Sequence, residues 1–297
     1  MQQPNVKEFF HEDSSTWSYV VSDPETGRAA VIDAVLDFDS KSGRTGTGSV
    51  EEIIDYVREH DLKVDWVLET HAHADHLAAA PRVREALGGT IAIGEGIRQV
   101  QERFRKIFNF EKEFLPDGAQ FDHLFQDGDS FNVGNIEGRV MHTPGHTSDS
   151  MSYVIGDAVF VGDTLFMPDA GTARCDFPGG DAAVMYRSIQ KLFELPDETR
   201  MFMCHDYQPG GRAPLFETTV AEQKRDNIHV GGGKSEAEFV KQRNERDASL
   251  AMPRLIVPSI QVNIRAGEFP PPEDNGTVYL KVPVDTLGKP DDKPLTG

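Results

Sequence analysis

The sequence predicts an α+β fold with two layers of sheet at the core and helices flanking them. Three observations carry this. Apolar β-type stretches come first, helical spacing follows, and strands and helices then recur; that order fits a two-layer sheet core better than a doubly wound parallel sheet. A turn running Thr70, His71, Ala72, His73, Ala74, Asp75, His76 follows an apolar stretch over 64–69 and precedes helical spacing, so a ligand-rich loop stands at a strand's carboxyl end. Further histidines and aspartates recur downstream, each where a strand meets a loop.

Taken in order, residues 17–21 and 29–34 read as a hairpin joined by the Asp23-to-Gly27 turn. Asp33 ends the second strand, where an exposed loop aspartate is the first expectation and an acceptor for a ligand histidine the second. Residues 37–48, rich in Gly, Ser and Asp, read as a surface loop. Ser49, with Glu52 three residues on, predicts a capping box, and Ile53, Ile54 and Val57 an apolar helix face. A helix over 77–87 stops at Gly88 and Gly89, a short strand spans 90–93, and a helix spans 98–108. Residues 112–120 read as a loop, and strands follow at 131–133, 137–142, 150–155 and 158–162, the last two joined at Gly156 and Asp157. Asp181 caps a helix to 195, and 201–204 is a strand. Helices are expected over 217–225 and 235–247, and strands over 262–265 and 278–282. This gives one domain over 1–250 and a proline-rich C-terminal extension over 251–297 packed on it.

The chain has 297 residues, 38% of them hydrophobic, enough for a sizeable core. Lys and Arg number 30 against 49 Asp and Glu, for a net charge of -19, which argues against broad electrostatic binding to nucleic acid or anionic membrane. Two cysteines, Cys175 and Cys204, imply no disulfide framework. The first dozen residues have no apolar signal-peptide core and no apolar run reaches spanning length, so a soluble, cytoplasmic setting is expected.

Four segments carry the chemistry. They are the turn with His71, His73, Asp75 and His76; the Thr143-Pro-Gly-His146 turn; Asp163 after Gly162; and His205 in Met203-Cys-His-Asp-Tyr207. Convergence of such strand-end ligands is what a buried cation requires. This ordered set resembles the metallo-β-lactamase superfamily over residues 15–225. The resemblance implies an αββα four-layer sandwich with the metal site at one edge of the sheets. It implies one metal position at His71, His73, His146 and Asp163, and another at Asp75, His76 and His205 with Asp163 as bridge.

Within that superfamily the chain is similar to glyoxalase II and more so to the persulfide dioxygenases, because Arg174, Asp176 and Phe177 match the pattern of the latter after the bridging aspartate. His71, His146 and Asp163 make two histidines and one carboxylate, a set suited to non-haem Fe(II). The resemblance implies one Fe(II) per subunit on those three residues, with His73, Asp75, His76 and His205 as outer or second-metal groups. The expected reaction oxidises glutathione persulfide with O₂ to sulfite and glutathione, with Arg174, Asp176 and Tyr207 near the chemistry. Arg174, Tyr207, Lys241, Arg243 and Arg246 are the expected substrate contacts. The alternatives are a hydroxyacylglutathione hydrolase with two zinc ions and, third, a non-catalytic metal-binding regulator of the same fold. A homodimer through the tail's apolar strands is a further expectation.

Overall fold

The computed structural model describes residues 2–288. Residue 1 and residues 289–297, the outer ends of the two predicted regions, lie outside the described residues. Two six-stranded sheets pack face to face. The first runs β1 (Asn5–His11), β2 (Thr16–Ser22), β3 (Arg28–Ile32), β6 (Lys63–Leu68), β8 (Thr90–Gly94), β9 (His123–Phe125). Its first three strands are antiparallel neighbours and its last four are parallel. The second runs β10 (Ser130–Val133), β11 (Ile136–His142), β12 (Met151–Ile155), β13 (Ala158–Phe160), β14 (Arg200–Phe202), β15 (Glu217–Thr219), antiparallel except for β13 beside β14. A small sheet joins β4 (Val35–Asp39) to β5 (Arg44–Gly46) and β7 (Leu77–Ala78).

Alternation along the strands makes the layers, because successive side chains point to opposite faces. Tyr19, Val21, Ala30 and Ile32 face Tyr153, Phe160 and Phe202 between the sheets, while Val20, Ala29 and Val31 turn outward. The outward set packs under α1 (Gly48–Glu59), α2 (Ala80–Leu87), α3 (Ile97–Phe108) and α7 (Ile256–Asn263). On the far side, Val159, Val161, Met201 and Met203 pack under α4 (Ala182–Leu192), α5 (Val220–Asp226) and α6 (Glu236–Asp247). Helix, sheet, sheet, helix is the four-layer order the resemblance implies.

Several local expectations change. The 37–48 segment is the β4–β5 hairpin rather than a loop. Ser49 does not cap α1; Thr47 holds the cap position without a side-chain bond, and the Asp37 carboxylate accepts the Ser49 N–H at 3.2 Å. Leu77 and Ala78 pair with β4 before α2 begins. Residues 217–219 are strand, and Thr219 then caps α5 through a box with Glu222. The strand expected at 262–265 is the end of α7, and 278–282 form no strand. Asp181 does cap α4, accepting from Val184 N at 2.8 Å. Among the described residues no helix is long and apolar enough to cross a membrane.

Candidate metal centre

The four ligand segments meet at one end of the sheet pair. The first sheet supplies the turn after β6. The second supplies His146 after β11, Asp163 after β13 and His205 after β14. Tight backbone packing puts them there. Gly162 has φ +52°, and a Cβ there would come within 2.7 Å of Thr70 Oγ1, so only glycine lets Asp163 approach the histidine turn this closely. Gly145 has φ +138°, and a Cβ there would overlap the Met185 backbone on α4. Gly145→Ala should therefore lower stability by about 1–3 kcal/mol, the usual range for overpacking, and displace His146. Thermal unfolding together with metal content would show both effects.

Each histidine uses one ring nitrogen on the protein and leaves the other for the site, the arrangement that fixes a ligand's tautomer. His146 Nδ1 donates to Arg174 O at 2.8 Å, and His205 Nδ1 to Ser15 O at 3.2 Å. His71 Nδ1 lies 3.1 Å from Thr70 Oγ1, and His76 Nδ1 3.4 Å from Thr16 Oγ1. His73 is oriented the other way, with Nε2 donating to Asp33 Oδ1 at 3.0 Å. Asp33 is thus the acceptor for a histidine of the turn, not an exposed loop residue; it is 3% exposed and also accepts from Thr70 N and Oγ1. Burial pushes its carboxyl up to about 6 against those two bonds. Burial also lowers His71 and His73 well below the ordinary imidazole value, keeping them in the neutral form that ligates.

Six buried atoms converge with no hydrogen-bond partner among the described residues: His71 Nε2, His73 Nδ1, Asp75 Oδ2, His76 Nε2, Asp163 Oδ1 and His205 Nε2. A buried polar atom left this way costs about 1–3 kcal/mol. Six together, all nitrogen or carboxylate, fit a cation. Among the described residues four groups bring ligand atoms within 4.8 Å of one another, and two of them hold only histidines and aspartates: His71, His146 and Asp163 in one, and His73, Asp75, His76 and His205 in the other. Asp163 stands between them. Its Oδ2 is 3.5 Å from His146 Nε2 and 3.9 Å from His71 Nε2, and its Oδ1 is 3.4 Å from His205 Nε2.

A cleft of about 820 Å³ opens onto the centre, within the range of small-molecule sites. Arg174, Phe177, Tyr207, Arg246 and Arg254 line it. Tyr207 is 53% exposed and stacks on His205 at 5.6 Å between centroids. The Arg174 guanidinium is held bidentate by Asp176, at 2.6 and 2.9 Å, and donates to Ala251 O. Asp176 does not line the cleft, nor does Lys241. Arg243 reaches the cleft wall but is 2% exposed, its donors directed to Asp247 and to Thr172 O. Asp247 in turn accepts from Cys175 N at 2.8 Å, so this buried ion pair grips the loop whose Arg174 carbonyl orients His146. Cys175 and Cys204 are free and buried, and burial pushes both thiols above their ordinary value, so neither is a poised nucleophile. The sequence pattern did not single out Arg254, Asn263 or Asp247, which act as isolated residues with no motif around them.

The family model described as Metallo-beta-lactamase superfamily matches residues 11–205. A beta-lactamase hydrolase-like protein of Agrobacterium fabrum is 53% identical over 96% of this chain, which spans 65% of that protein's length. A probable metallo-hydrolase of Burkholderia pseudomallei is 52% identical over 95% of this chain and 99% of its own. The corresponding figures for Glyoxylase B2 of Dictyostelium discoideum are 47%, 95% and 97%. The mitochondrial persulfide dioxygenase ETHE1 of Bos taurus is 28% identical over 90% of each chain. Among solved structures, ETHE1 from Myxococcus xanthus superposes with a TM-score of 0.70 at 32% identity, covering 89% of this chain and all of that one. With the fold, the ligand segments and the family match in agreement, the chain belongs to the metallo-β-lactamase superfamily.

Proposed function

We propose that the protein is a persulfide dioxygenase that converts glutathione persulfide, O₂ and water to glutathione, sulfite and protons. The observation that carries this reading is the grouping of His71, His146 and Asp163, two histidines and one carboxylate without His73. Two histidines and one carboxylate suit non-haem Fe(II), and Fe(II) bound there would supply the redox chemistry with O₂ that a closed-shell zinc ion lacks. The similarity to ETHE1 supports the same choice. The protein's own part is to hold and to orient. The Arg174 carbonyl fixes the His146 ring, while Phe177 and Tyr207 form apolar walls. Arg246 and Arg254 stand exposed at the rim, where they can meet the carboxylates of an anionic thiol. Arg174 is a fixed rim charge, 4.8 Å above the Phe177 ring.

The test is oxygen uptake by Fe(II)-loaded protein given glutathione persulfide, with sulfite assayed in the same vessel. Uptake with matching sulfite is expected, and Arg246→Ala should raise KM about tenfold, as loss of a charge-assisted contact does, with kcat little changed. Absence of uptake, with cleavage of an acylglutathione thioester by the zinc-loaded form, would replace the reading by a hydroxyacylglutathione hydrolase. One observation favours that second reading: the two oxygens of Asp163 face the two ligand sets, as a bridge between two metals requires. The names of the Dictyostelium and Burkholderia relatives point the same way.

A further inference from the structure

We propose that Asn263, at the end of α7, is the positioning residue for the His73-to-His76 turn, so that a segment beyond the family-matched region completes the metal centre. The Asn263 amide is 4% exposed and lies against the turn's backbone. Its Nδ2 donates to His73 O and to His76 O, each at 2.8 Å, and its Oδ1 accepts from Ala78 N at 2.8 Å. The two carbonyls need donors and the N–H needs an acceptor, so the amide has one orientation that serves all three. No carboxylate, hydroxyl or aliphatic side chain of that size offers the same pattern. The turn it grips has no regular hydrogen-bond ladder of its own between β6 and β7. Its ring directions therefore depend on side chains that reach in from elsewhere: Asp33 from the first sheet, Asp149 on Ala72 N at 2.8 Å, and Asn263.

Asn263 is itself held. Ile256, Ile260 and Ile264 enter the core beneath the first sheet. Gln101 of α3 donates to Ile264 O at 2.8 Å, and Arg265 pairs with Glu111 at 2.7 Å while lying over Phe114 at 4.3 Å. The family match ends at residue 205, so this grip comes from outside the matched region. Removing it leaves the core of α7 in place but frees the turn. The inference does not depend on which reaction the centre performs, because its readout is metal binding without substrate.

The experiment compares the native chain with Asn263→Asp, Asn263→Ala and Gln101→Ala. Asn263→Asp keeps size and the acceptor for Ala78 N but places an anion against two carbonyls. Asn263→Ala removes the three bonds without adding charge, and it is the variant to read if the aspartate form does not fold. Gln101→Ala removes a donor to α7, together with its bonds to Gly118 N and Gln120 in the loop after α3, without touching the turn. Each protein is loaded with Fe(II) without oxygen, or with Zn(II). Extraction by excess chelator is then timed, and the unfolding temperature is recorded with and without metal. Both Asn263 variants should release metal about 10- to 100-fold faster, the usual effect of losing an outer partner of a ligand. Their gain in unfolding temperature on metal addition should shrink, since that gain follows metal concentration over Kd. Gln101→Ala should lower the metal-free unfolding temperature with native release. Native release from both Asn263 variants overturns the proposal. Equal acceleration in Gln101→Ala overturns it as well, since anchoring of α7 alone would then account for the effect.

Discussion

An Asp163→Asn protein folds, keeps or gains metal-free stability, and retains less than about one tenth of the metal that saturates the native chain, with turnover reduced on the order of 100-fold or more. The floor comes from outer partners, whose loss already costs about 10- to 100-fold in affinity or activity. Asp163 faces both ligand sets, so no arrangement of one metal or two spares it. Asparagine has the same shape, so the packing of Gly162 against Thr70 survives. Stability moves the opposite way from function because the carboxylate is 5% exposed, and burial disfavours its charge. Metal analysis after dialysis, with unfolding temperatures measured with and without metal, checks all of this. Native metal content in the variant would remove Asp163 from the centre.

The second large effect is on stability. Arg243→Ala should cost about 3–5 kcal/mol, the range for breaking a buried ion pair on one side. Arg243 and Asp247 have side chains 2% and 4% exposed, at 2.6 Å, so the variant takes the guanidinium from a buried carboxylate and removes a donor to Thr172 O. The paired change Arg243→Met with Asp247→Leu should restore most of that loss, because it removes both charges together. It does not restore the grip on Thr172 O and Cys175 N, so the loop under His146 stays loose. Urea unfolding gives the free energies. A loss below about 1 kcal/mol for Arg243→Ala would place the pair with weak surface bridges.

The centre was legible because its ligands are concentrated in short strand-end segments, where residue type and position reinforce each other. The supports were less so. Asp33 was read as an acceptor for a ligand histidine only as a second expectation, which its bond to His73 bears out, while Asp149, Asp247 and Asn263 each act alone and nothing in their neighbours marks them. The same limit explains the misread elements. A strand was expected over 262–265, where Val262 and Ile264 favour one, yet Val262 ends helix α7, whose Ile256 and Ile260 are buried and whose first turn tolerates Pro258. Residues 5–11 drew no expectation of a strand; β1 carries Lys7 and Glu8 among its apolar residues, as an edge strand does, and pairs with β2. The cap of α1 was assigned to Ser49 because local spacing favoured it, whereas Asp37, twelve positions away, meets the Ser49 N–H.

The ligands divide between the two sheets, and this gives the centre a place in the order of folding. His71 and His205 lie far apart in sequence, and both the His71, His146 and Asp163 set and the His73, Asp75, His76 and His205 set draw on the two sheets together. A metal ion can find its full coordination only after the sheets have docked, late in the folding reaction. Added metal should then leave the refolding rate nearly unchanged and slow unfolding, because its contacts are absent from the transition state and present only in the finished fold. The ion acts as a latch on a door that closes by itself.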